Sequence, residues 1–352
     1  MYLYFADNSF FDYMGRADIS DPKAVKFFYA GTLVRFRFTG NSLTAILNRT
    51  ELYGCQWITA VIDDKVYTVK SDFADNDHDL AVNFADDLED TVHTAYIVKR
   101  HETNERFIFK GVIVKNLLPP NFTDKLKIEV FGDSVCAGEL TEAVGFEGHE
   151  DPENSNFAYD NVLNSFVMLA AKSLSARIHN NSQGGLALLD GTGWFHAPEY
   201  IGLESTFDKM CYTTELGEIS AWDFTLYTPD IVIIEIAQND SHDGVNDIFD
   251  LKFRGEEHYK LWTTKYKEIV RTLHGHYKTA KYIFTTTVLN HDKCWDEALE
   301  KIAEELTQEG IPCYKNTFEN NGVLTPGHPR TAEQEKMACE LKNFIGKLIY
   351  EN

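Results

Sequence analysis

Several features are missing from this 352-residue sequence, and each absence narrows its class. No apolar run approaches the ~20 residues of a membrane span. No basic amino-terminal region precedes an apolar stretch, so no secretory signal is predicted and a cytoplasmic location is expected, although a secreted protein that had lost its leader would look the same. The six cysteines are scattered without a C-x-x-C pair. We therefore predict free thiols, with neither a disulfide framework nor a zinc site.

Basic residues are also scarce. The chain has 33 Lys and Arg against 55 Asp and Glu, which gives a net charge of -22 at pH 7. A surface of this sign repels the phosphates of nucleic acids and anionic membrane surfaces, so neither partner is expected. The charge does not decide oligomeric state, and homo-oligomerisation stays open.

What the chain does contain is enough apolar material for more than one core. Hydrophobic residues make up 43% of it and aromatic residues 13%. At about 150 residues per domain, its length favours two domains.

The first third of the chain predicts a β-rich domain. Eight short runs between residues 26 and 115 alternate or cluster β-branched and aromatic residues, with turn formers between them and no helical period. Asp63-Asp64 separates two alternating runs and is typical of a tight hairpin. We predict an antiparallel β-sandwich of jelly-roll type. The predicted strands are KFFYA, LVRFRFT, LTAILN, QWITAVID, KVYTVK, LAVNF, VHTAYIVKR and FIFKGVIV.

A linker and a change of period follow. Pro119-Pro120 forbids both a helix and a sheet interior, so we predict one domain over 1–118 and another over 122–352. Strand-like and helix-like segments alternate in the second part, which predicts a parallel sheet covered by helices on both faces. The predicted helices lie near 159–175, 259–273, 295–309 and from 331 onward, and the predicted strands lie over 126–131, 176–180, 231–237, 281–288 and 311–314.

The segment KIEVFGDSVCAG contains the first candidate for chemistry. Its first half alternates polar and apolar residues, which predicts a strand, and Gly132-Asp133-Ser134 ends that strand sharply. Open α/β sheets present reactive groups at the carboxyl ends of their strands. Taken alone, the three residues are more typical of an ordinary turn, because all three are turn formers.

Three further loops are predicted at the same sheet edge. The loop 181–186 contains Gly184 and Gly185, whose backbone N–H groups would approach a developing oxyanion closely, although a flexible turn explains them equally well. Asn239 follows the most apolar strand and is either a second oxyanion donor or a helix cap. His328, in Gly-His-Pro, suits a general base for Ser134, although a lone histidine is more often structural.

Taken together, these blocks resemble the SGNH (GDSL-type) hydrolase superfamily. Gly132-Asp133-Ser134 is similar to its first block, Asn239 in AQND to its G-x-N-D block, and His328 in GHP to its D-x-x-H-P block. The resemblance covers most of residues 125–352.

A narrower resemblance includes the amino-terminal half. The segment MGRADISDPKAVKFFYAGTLVRFRFTGNSL resembles the start of carbohydrate esterase family 2, and SQGGL and GHPRTAEQEKMA also fit that family. The resemblance implies a jelly roll joined to an SGNH domain, and O-deacetylation of xylan-type or other plant polysaccharide fragments without a cofactor. It further implies Ser134 as nucleophile, His328 as base, and an oxyanion hole formed by Ser134, Asn239 and Gly184 or Gly185.

Two departures from the family pattern affect the site. The superfamily often has an Asp two or three residues before its His, but Pro326 and Thr325 occupy those positions here. A backbone carbonyl orienting the imidazole would leave a Ser-His dyad; Glu319 is close in sequence, but nothing in the pattern selects it. In the glycine block, Ser182-Gln183-Gly184-Gly185 replaces Ser-Gly-x-Gly, which leaves the identity of the backbone donor open.

Sugar binding is expected to use aromatic rings. Trp194, in LLDGTGWF, and Trp295, in LNHDKCWDEAL, follow predicted strand ends and are candidates for stacking on a sugar, although core packing explains either one. The acidic segment 240–243 has metal-ligand residue types, but the Asn-Asp block already explains it, so no metal is predicted.

The sequence therefore predicts a serine esterase that removes O-acetyl groups from plant-polysaccharide fragments. Two rivals remain. A lipase or thioesterase of the same fold would act on longer acyl chains. A non-catalytic carbohydrate-binding protein would explain the missing carboxylate before His328.

Overall fold

The computed structural model describes residues 1–52, 56–71, 78–102, 105–153, 155, 157–243, 252–286, 292–319 and 325–350. The chain divides into two compact units. The first contains Met1–Thr123, Ser155–Ala158 and Met210–Ser220, and the second contains Asp124–Asn154, Tyr159–Lys209 and Ala221–Asn352. The bounds predicted from the sequence, 1–118 and 122–352, stay a prediction about where independently folding domains begin and end.

The first unit is built from two antiparallel six-stranded sheets. Eight of its strands, β4 to β11, correspond to the eight predicted runs, and the shorter β1, β2, β3 and β12 add to the sheets. Runs of two to four residues carry too little alternation to be recognised. The strands are β1 (Tyr2–Phe5), β2 (Asp12–Met14), β3 (Ala17–Asp18), β4 (Val25–Phe27), β5 (Leu33–Gly40), β6 (Leu43–Glu51), β7 (Gln56–Ile62), β8 (Lys65–Ser71), β9 (Leu80–Ala85), β10 (Thr91–Lys99), β11 (Glu105–Val114) and β12 (Asn116–Leu118).

One sheet has the order β3-β4-β11-β6-β9, with β1 also paired to β11, and the other has the order β12-β5-β10-β7-β8, with β2 also paired to β5. Alternate side chains of both sheets form one apolar core; along β11, for example, Phe107, Phe109 and Val112 are buried. The register shifts between Phe109 and Gly111, where a side chain at position 111 would collide with the backbone of Tyr4. This architecture confirms the predicted sandwich.

The predicted hairpin at Asp63-Asp64 is also confirmed. Ile62 pairs with Lys65, which leaves a two-residue loop between β7 and β8. Asp63 and Asp64 have φ values of 48° and 68°. Two successive left-handed residues form the type of turn whose twist matches that of the flanking strands, and Asp tolerates this conformation better than most residues.

The second unit contains a five-stranded parallel sheet of order β14-β13-β17-β18-β19. Strand order reverses direction around β13, so the carboxyl ends of β13, β14 and β17 meet at a switch point, where open α/β sheets place their sites. The elements of this unit are β13 (Leu126–Gly132), α1 (Ser134–Ala137), α2 (Phe166–Leu174), β14 (Ala176–Asn180), α3 (Leu203–Thr206), β17 (Ile231–Glu235), α4 (Glu256–His276), β18 (Lys281–Thr285), α5 (Lys293–Gln308), β19 (Cys313–Asn316) and α6 (Thr331–Tyr350). The short strands β15 (Lys209–Cys211) and β16 (Ser220–Ala221) pair with each other at the two ends of the segment Met210–Ser220, which belongs to the first unit.

Helices cover this sheet as the alternating pattern predicts. α2 packs on α6 and on β13 and β14, whereas α5 packs on α4 and on β18 and β19. Connections that run in opposite directions from the switch point place their helices on opposite faces. The first predicted helix is shorter than expected, because the Asn161 side chain accepts from the N–H of Leu163 and starts a 3₁₀ turn, so that α2 begins only at Phe166.

In the part of the chain that the structure describes, no helix is both long enough and apolar enough to cross a membrane.

Candidate active site

Ser134 lies where β13 ends and α1 begins, and each residue of Gly-Asp-Ser has a local reason. A side chain at Gly132 would lie 2.7 Å from Cys136 Sγ, so the strand needs glycine there. The carboxylate of Asp133 caps α1 by accepting from the N–H of Val135 at 3.0 Å. Ser134 follows at the first helical position, 4% exposed. The N–H of a first helical residue has no acceptor within its helix, which leaves it available to an oxyanion.

His328 is brought to Ser134 from the other end of the unit. Its Nε2 lies 2.8 Å from Ser134 Oγ, although 194 residues separate them. Pro329 follows the histidine, and α6 begins at Thr331. The structure therefore joins the two predicted catalytic residues in the hydrogen-bonding arrangement of a nucleophile and its base.

Asp151 occupies the carboxylate position that the sequence leaves empty. Its Oδ2 lies 2.7 Å from His328 Nδ1, and the backbone N–H of His328 donates to both carboxylate oxygens, at 3.1 and 3.2 Å. The expectation of a dyad oriented by a backbone carbonyl is therefore wrong. Glu319 is not the third member either, since Asp151 already bonds Nδ1 of the ring. Ser134, His328 and Asp151 form a complete triad geometry.

Arg330 and Gly327 hold Asp151 in place. Arg330 Nη1 donates to Asp151 Oδ1 at 2.8 Å and to the carbonyl of His328 at 2.5 Å, and this arginine is completely buried. Any side chain at Gly327 would overlap the carboxylate of Asp151. A buried guanidinium needs a counter-charge, and Asp151 supplies it.

The loop that carries Asp151 is closed at its base. The N–H of Leu140 donates to Asp160 Oδ1 at 2.9 Å, and Thr141 Oγ1 donates to the carbonyl of Asn161 at 3.1 Å. The N–H of Asn161 donates in turn to the carbonyl of Gly138, at 2.9 Å. These bonds fix both ends of the loop immediately behind α1.

Carboxylates around His328 dominate its electrostatics. Burial alone lowers the pKa of His328, but Glu139, Asp151 and Asp133 outweigh it and raise the pKa to about 9. Burial alone raises the pKa of Asp151, but its hydrogen bond and charge interaction with His328, together with Arg330, lower it to about 2. Asp151 is therefore ionised at neutral pH.

Glu139 was not predicted from the sequence. Its Oε2 lies 3.6 Å from His328 Nε2, on the Ser134 side of the ring, and its side chain is 31% exposed. The backbone N–H of Glu139 donates to the carbonyl of Ser134 at 3.0 Å. A second carboxylate therefore adjoins the reacting atoms.

Asn239 bonds both the nucleophile turn and the glycine loop. Its Nδ2 donates to the carbonyl of Leu186 at 3.1 Å and to Asp133 Oδ2 at 3.3 Å. The next residue, Asp240, is buried and accepts from the N–H of Leu188 at 2.8 Å. Burial, the largest influence, raises the pKa of Asp240 to about 7. The Asn-Asp block thus ties the nucleophile turn to the glycine loop.

The glycine loop begins directly after β14. The N–H of Gln183 donates to the carbonyl of Gly132 at 3.1 Å, which places Gly184 and Gly185 beside the nucleophile turn. Gly185 has φ +72°, and a side chain there would lie 2.8 Å from Cβ of Trp194. This close approach explains one of the two glycines. Which of the two donates to an oxyanion stays a prediction.

Asp133 and Glu235 form a buried acid pair beneath the nucleophile. Both are completely buried, and burial is the main influence that raises the pKa of Asp133 to about 6 and that of Glu235 well above its usual range. Gln238 Nε2 donates to Asp133 Oδ2 at 2.7 Å, and Cys136 Sγ donates to Glu235 Oε2 at 3.6 Å. The charge of Asp133 adds to burial in raising the pKa of Glu235, so the neutral form of this carboxyl group is favoured.

The two tryptophan candidates have different environments. Trp194 is 46% exposed, its N–H donates to Gly185, and its ring stacks on His242 with centroids 3.5 Å apart. Trp295 is completely buried on α5 and packs against Trp262 and Phe253. The prediction that Trp295 stacks on a sugar is therefore wrong, because its ring has no exposed face.

No cluster of three or more His, Cys, Asp or Glu side chains suited to a metal ion occurs in the part of the chain that the structure describes.

The fold and the Gly-Asp-Ser turn define an SGNH-type ester hydrolase with an amino-terminal β-sandwich. Residues 13–120 match the family model "Carbohydrate esterase 2 N-terminal". The chain is 27% identical over 347 residues to the acetylxylan esterase / glucomannan deacetylase of Cellvibrio japonicus, a match that covers 96% of this chain and 88% of that protein.

Two solved structures share the fold over nearly their whole length. A family two carbohydrate esterase from Clostridium thermocellum, solved in complex with cellohexaose, has a TM-score of 0.79 at 20% identity and covers 96% of this chain and 99% of its own. An acetyl xylan esterase (Est2A) from the rumen bacterium Butyrivibrio proteoclasticus has a TM-score of 0.80 at 18% identity and covers 99% of each chain. These two structures show the shared fold, and the family match identifies residues 13–120 as similar to the amino-terminal domain of carbohydrate esterase family 2, as the sequence predicts.

Proposed function

We propose that the protein removes O-acetyl groups from fragments of plant polysaccharides of the xylan or mannan type. The observation that carries this proposal is the triad: Ser134 Oγ lies 2.8 Å from His328 Nε2, and His328 Nδ1 lies 2.7 Å from Asp151 Oδ2. Serine hydrolases with a catalytic triad hold a nucleophile, a base and an orienting acceptor in this order.

The geometry supports an acetyl-enzyme mechanism. Ser134 Oγ attacks the acetyl carbonyl carbon while His328 Nε2 takes the hydroxyl proton. The tetrahedral intermediate collapses, and His328 returns that proton to the departing sugar oxygen. Water then attacks the acetyl-enzyme, with His328 again as base, and acetate leaves as Ser134 recovers its proton. Asp151 holds the Nδ1–H and stabilises the imidazolium in both halves of the cycle, which calls for no cofactor.

The oxyanion hole is proposed from backbone and amide donors. The proposed donors are the N–H of Ser134, an N–H of Gly184 or Gly185, and Nδ2 of Asn239. Asn239 Nδ2 is engaged in the free protein, and its longer bond, 3.3 Å to Asp133, is the one an oxyanion would replace. Such preorganised donors act on charge that develops only in the transition state.

The sugar is proposed to stack on Trp194. Its ring is the exposed aromatic side chain next to the glycine loop, and His242 supports its opposite face. The relative from Cellvibrio japonicus is named for deacetylation of xylan and glucomannan, and the Clostridium thermocellum enzyme was solved with cellohexaose. A flat, exposed ring beside the glycine loop suits substrates built from such pyranose units.

Hydrolysis of 4-nitrophenyl acetate tests the proposal. Ser134→Ala and His328→Ala should each lower kcat by at least ~1,000-fold, because nucleophile and base act as a unit. Ser173→Ala, an exposed serine on α2, is the matched control and should keep the wild-type rate. Equal activity of Ser134→Ala and the wild type would overturn the assignment.

The two rivals have separate tests. A lipase or thioesterase would prefer longer acyl chains, so a series from acetate to octanoate should show kcat/KM falling with chain length if the proposal is right. A non-catalytic binding protein was suggested by the missing carboxylate, a reason that Asp151 removes. The cytoplasmic location stays a prediction, and imported oligosaccharides would then be the substrates.

A further inference from the structure

Glu139 stands beside the reacting atoms without a role in the triad. Gly138, at φ +82°, reverses the chain after α1, and a side chain there would overlap the backbone of Asn161 and Val162. The N–H of Glu139 then donates to the carbonyl of Ser134 at 3.0 Å. The backbone of Glu139 is thus tied to the nucleophile itself, and its side chain is directed to His328.

The atom that Glu139 approaches is the one that handles the proton. His328 Nε2 must come within hydrogen-bond reach of the departing sugar oxygen to protonate it. Glu139 Oε2 lies 3.6 Å from this same nitrogen, and its side chain is 31% exposed. A sugar whose ester oxygen reaches Nε2 therefore brings its neighbouring ring substituents next to the Glu139 carboxylate.

The triad does not need this second carboxylate. Asp151 already orients the imidazole through Nδ1 and is held by Arg330. Glu139, by contrast, favours the protonated form of His328, which cannot act as a base. Among the described residues, the ion pairs of Glu139 are confined to His328. The Glu139 carboxylate therefore has an unfavourable effect on the base in the free enzyme. A bound substrate that donates a hydrogen bond to this carboxylate would offset that effect.

We propose that Glu139 is a specificity-determining residue whose carboxylate accepts a hydrogen bond from a free hydroxyl on the ring carbon next to the acetylated one. The same negative charge disfavours sugars that carry a carboxylate near the ester. This inference rests on the proposed deacetylase function and goes beyond it, because it defines the substrate as an uncharged, partly acetylated sugar with a free neighbouring hydroxyl.

The first test compares two substrates that differ at one position. A methyl β-xyloside monoacetate with a free neighbouring hydroxyl is compared with its neighbouring O-methyl ether, and kcat/KM is normalised to active sites titrated with an organophosphonate. Loss of a hydrogen bond to a charged acceptor should cost the wild type ~10- to 100-fold on the ether. Glu139→Ala should reduce this ratio to below ~3-fold, and Glu139→Gln should give an intermediate ratio.

The control is Glu147→Gln, which removes an exposed carboxylate from the same loop. It should keep the wild-type ratio. A wild-type ratio near one, or an unchanged ratio in Glu139→Ala, would overturn the role of Glu139. Titration of active sites separates misfolding of a variant from loss of specificity, since a folded site still reacts at Ser134.

A second readout uses charge. The wild type should hydrolyse the monoacetate of a methyl glucuronoside ~10-fold less efficiently than that of the matching glucoside at low salt, and Glu139→Gln should remove most of the difference. Persistence of the full difference in Glu139→Gln would count against the proposal. If neither sugar acetate is hydrolysed and Ser134→Ala keeps full esterase activity, the proposed function itself fails, and the role of Glu139 falls with it.

Discussion

Asp151 Oδ2 and His328 Nδ1 lie 2.7 Å apart, although 177 residues separate them in the chain. The carboxylate comes from the loop behind α1, whereas the histidine precedes α6. Arg330 joins the two by bonding both the Asp151 carboxylate and the His328 carbonyl. The third member of the triad is therefore supplied by long-range folding and not by the segment around the histidine.

Replacing Asp151 with Asn should lower kcat by ~100- to 10,000-fold, because the imidazole loses its fixed tautomer and the charge that stabilises its protonated form. The rate is measured with 4-nitrophenyl acetate. Glu319→Gln is the matched control, since Glu319 is the acidic residue closer in sequence, and it should retain activity within ~2-fold. Full activity in Asp151→Asn would contradict the triad.

Gly327→Ala should inactivate the enzyme although it replaces none of the three triad residues. The added methyl group overlaps the Asp151 carboxylate, so we expect that carboxylate to move and kcat to fall by at least ~100-fold. Gly346→Ala is the control, because nothing lies within 4 Å of the added methyl group on α6. It should raise the free energy of unfolding by about 0.5–1 kcal/mol. Similar activity in both variants would refute the argument.

Activity should rise with pH until about 9. The base must be neutral, and Glu139, Asp151 and Asp133 raise the pKa of His328 to about 9 against the opposing effect of burial. Below that pH, log(kcat/KM) should increase with a slope near one. Asp151, with a pKa of about 2, contributes no further limb above pH 4. Glu139→Gln should shift the limb to lower pH, and a wild-type plateau already reached at pH 7 would contradict this assignment.

The buried pair of Asp133 and Glu235 should make the folded state less stable as pH rises. The pKa of Glu235 is raised in the folded protein, so the folded state keeps a proton that the unfolded chain releases above its ordinary pKa of 4.5. Unfolding free energy therefore falls with pH between that value and the folded pKa. Glu235→Gln should lose less Tm between pH 5 and 9 than the wild type. Parallel Tm curves would contradict the raised pKa of Glu235 in the folded protein.

The two tryptophans should respond differently to truncation. Trp194→Ala should raise KM for an acetylated oligosaccharide by ~3- to 10-fold through the loss of a stacking face, with little change in the free energy of unfolding. Trp295→Ala should instead lower the free energy of unfolding by about 3–5 kcal/mol, because it leaves a large cavity between α5 and its neighbours. Thermal unfolding and saturation kinetics on both variants separate the two roles.

Residues with strong local signals could be predicted from the sequence. Ser134, Asn239 and His328 each follow a strand or precede a helix, so their meeting at one sheet edge follows from the α/β pattern. Asp151 could not be found in this way, because its loop has no periodicity. The sequence offers only indirect signals, namely Gly327 before the histidine and Arg330 after it. The structure shows that Gly327 leaves room for the Asp151 carboxylate and that Arg330 is buried and needs a counter-charge.

The sequence of α5 contains a signal for the burial of Trp295. The buried residues of α5 recur at helical spacing and form one apolar face to which this tryptophan belongs: Trp295, Ala298, Leu299, Ile302, Ala303 and Leu306. This helical period is a stronger signal than the position of Trp295 after a strand end. Exposure of Trp194, by contrast, depends on the glycine turns around it, which carry no period to read.

The loop that carries Asp151 is closed at its base by bonds of Leu140 and Thr141 to Asp160 and Asn161. Because this closure does not involve Asp151, the tip of the loop can change while the nucleophile turn keeps its shape. Sequence changes confined to the tip can then remove or replace Asp151, the acidic partner of His328. An exchange of the loop tip that removes Asp151 should lower kcat by the factor expected for Asp151→Asn while the Gly-Asp-Ser turn keeps its shape, and the reverse exchange should restore the rate.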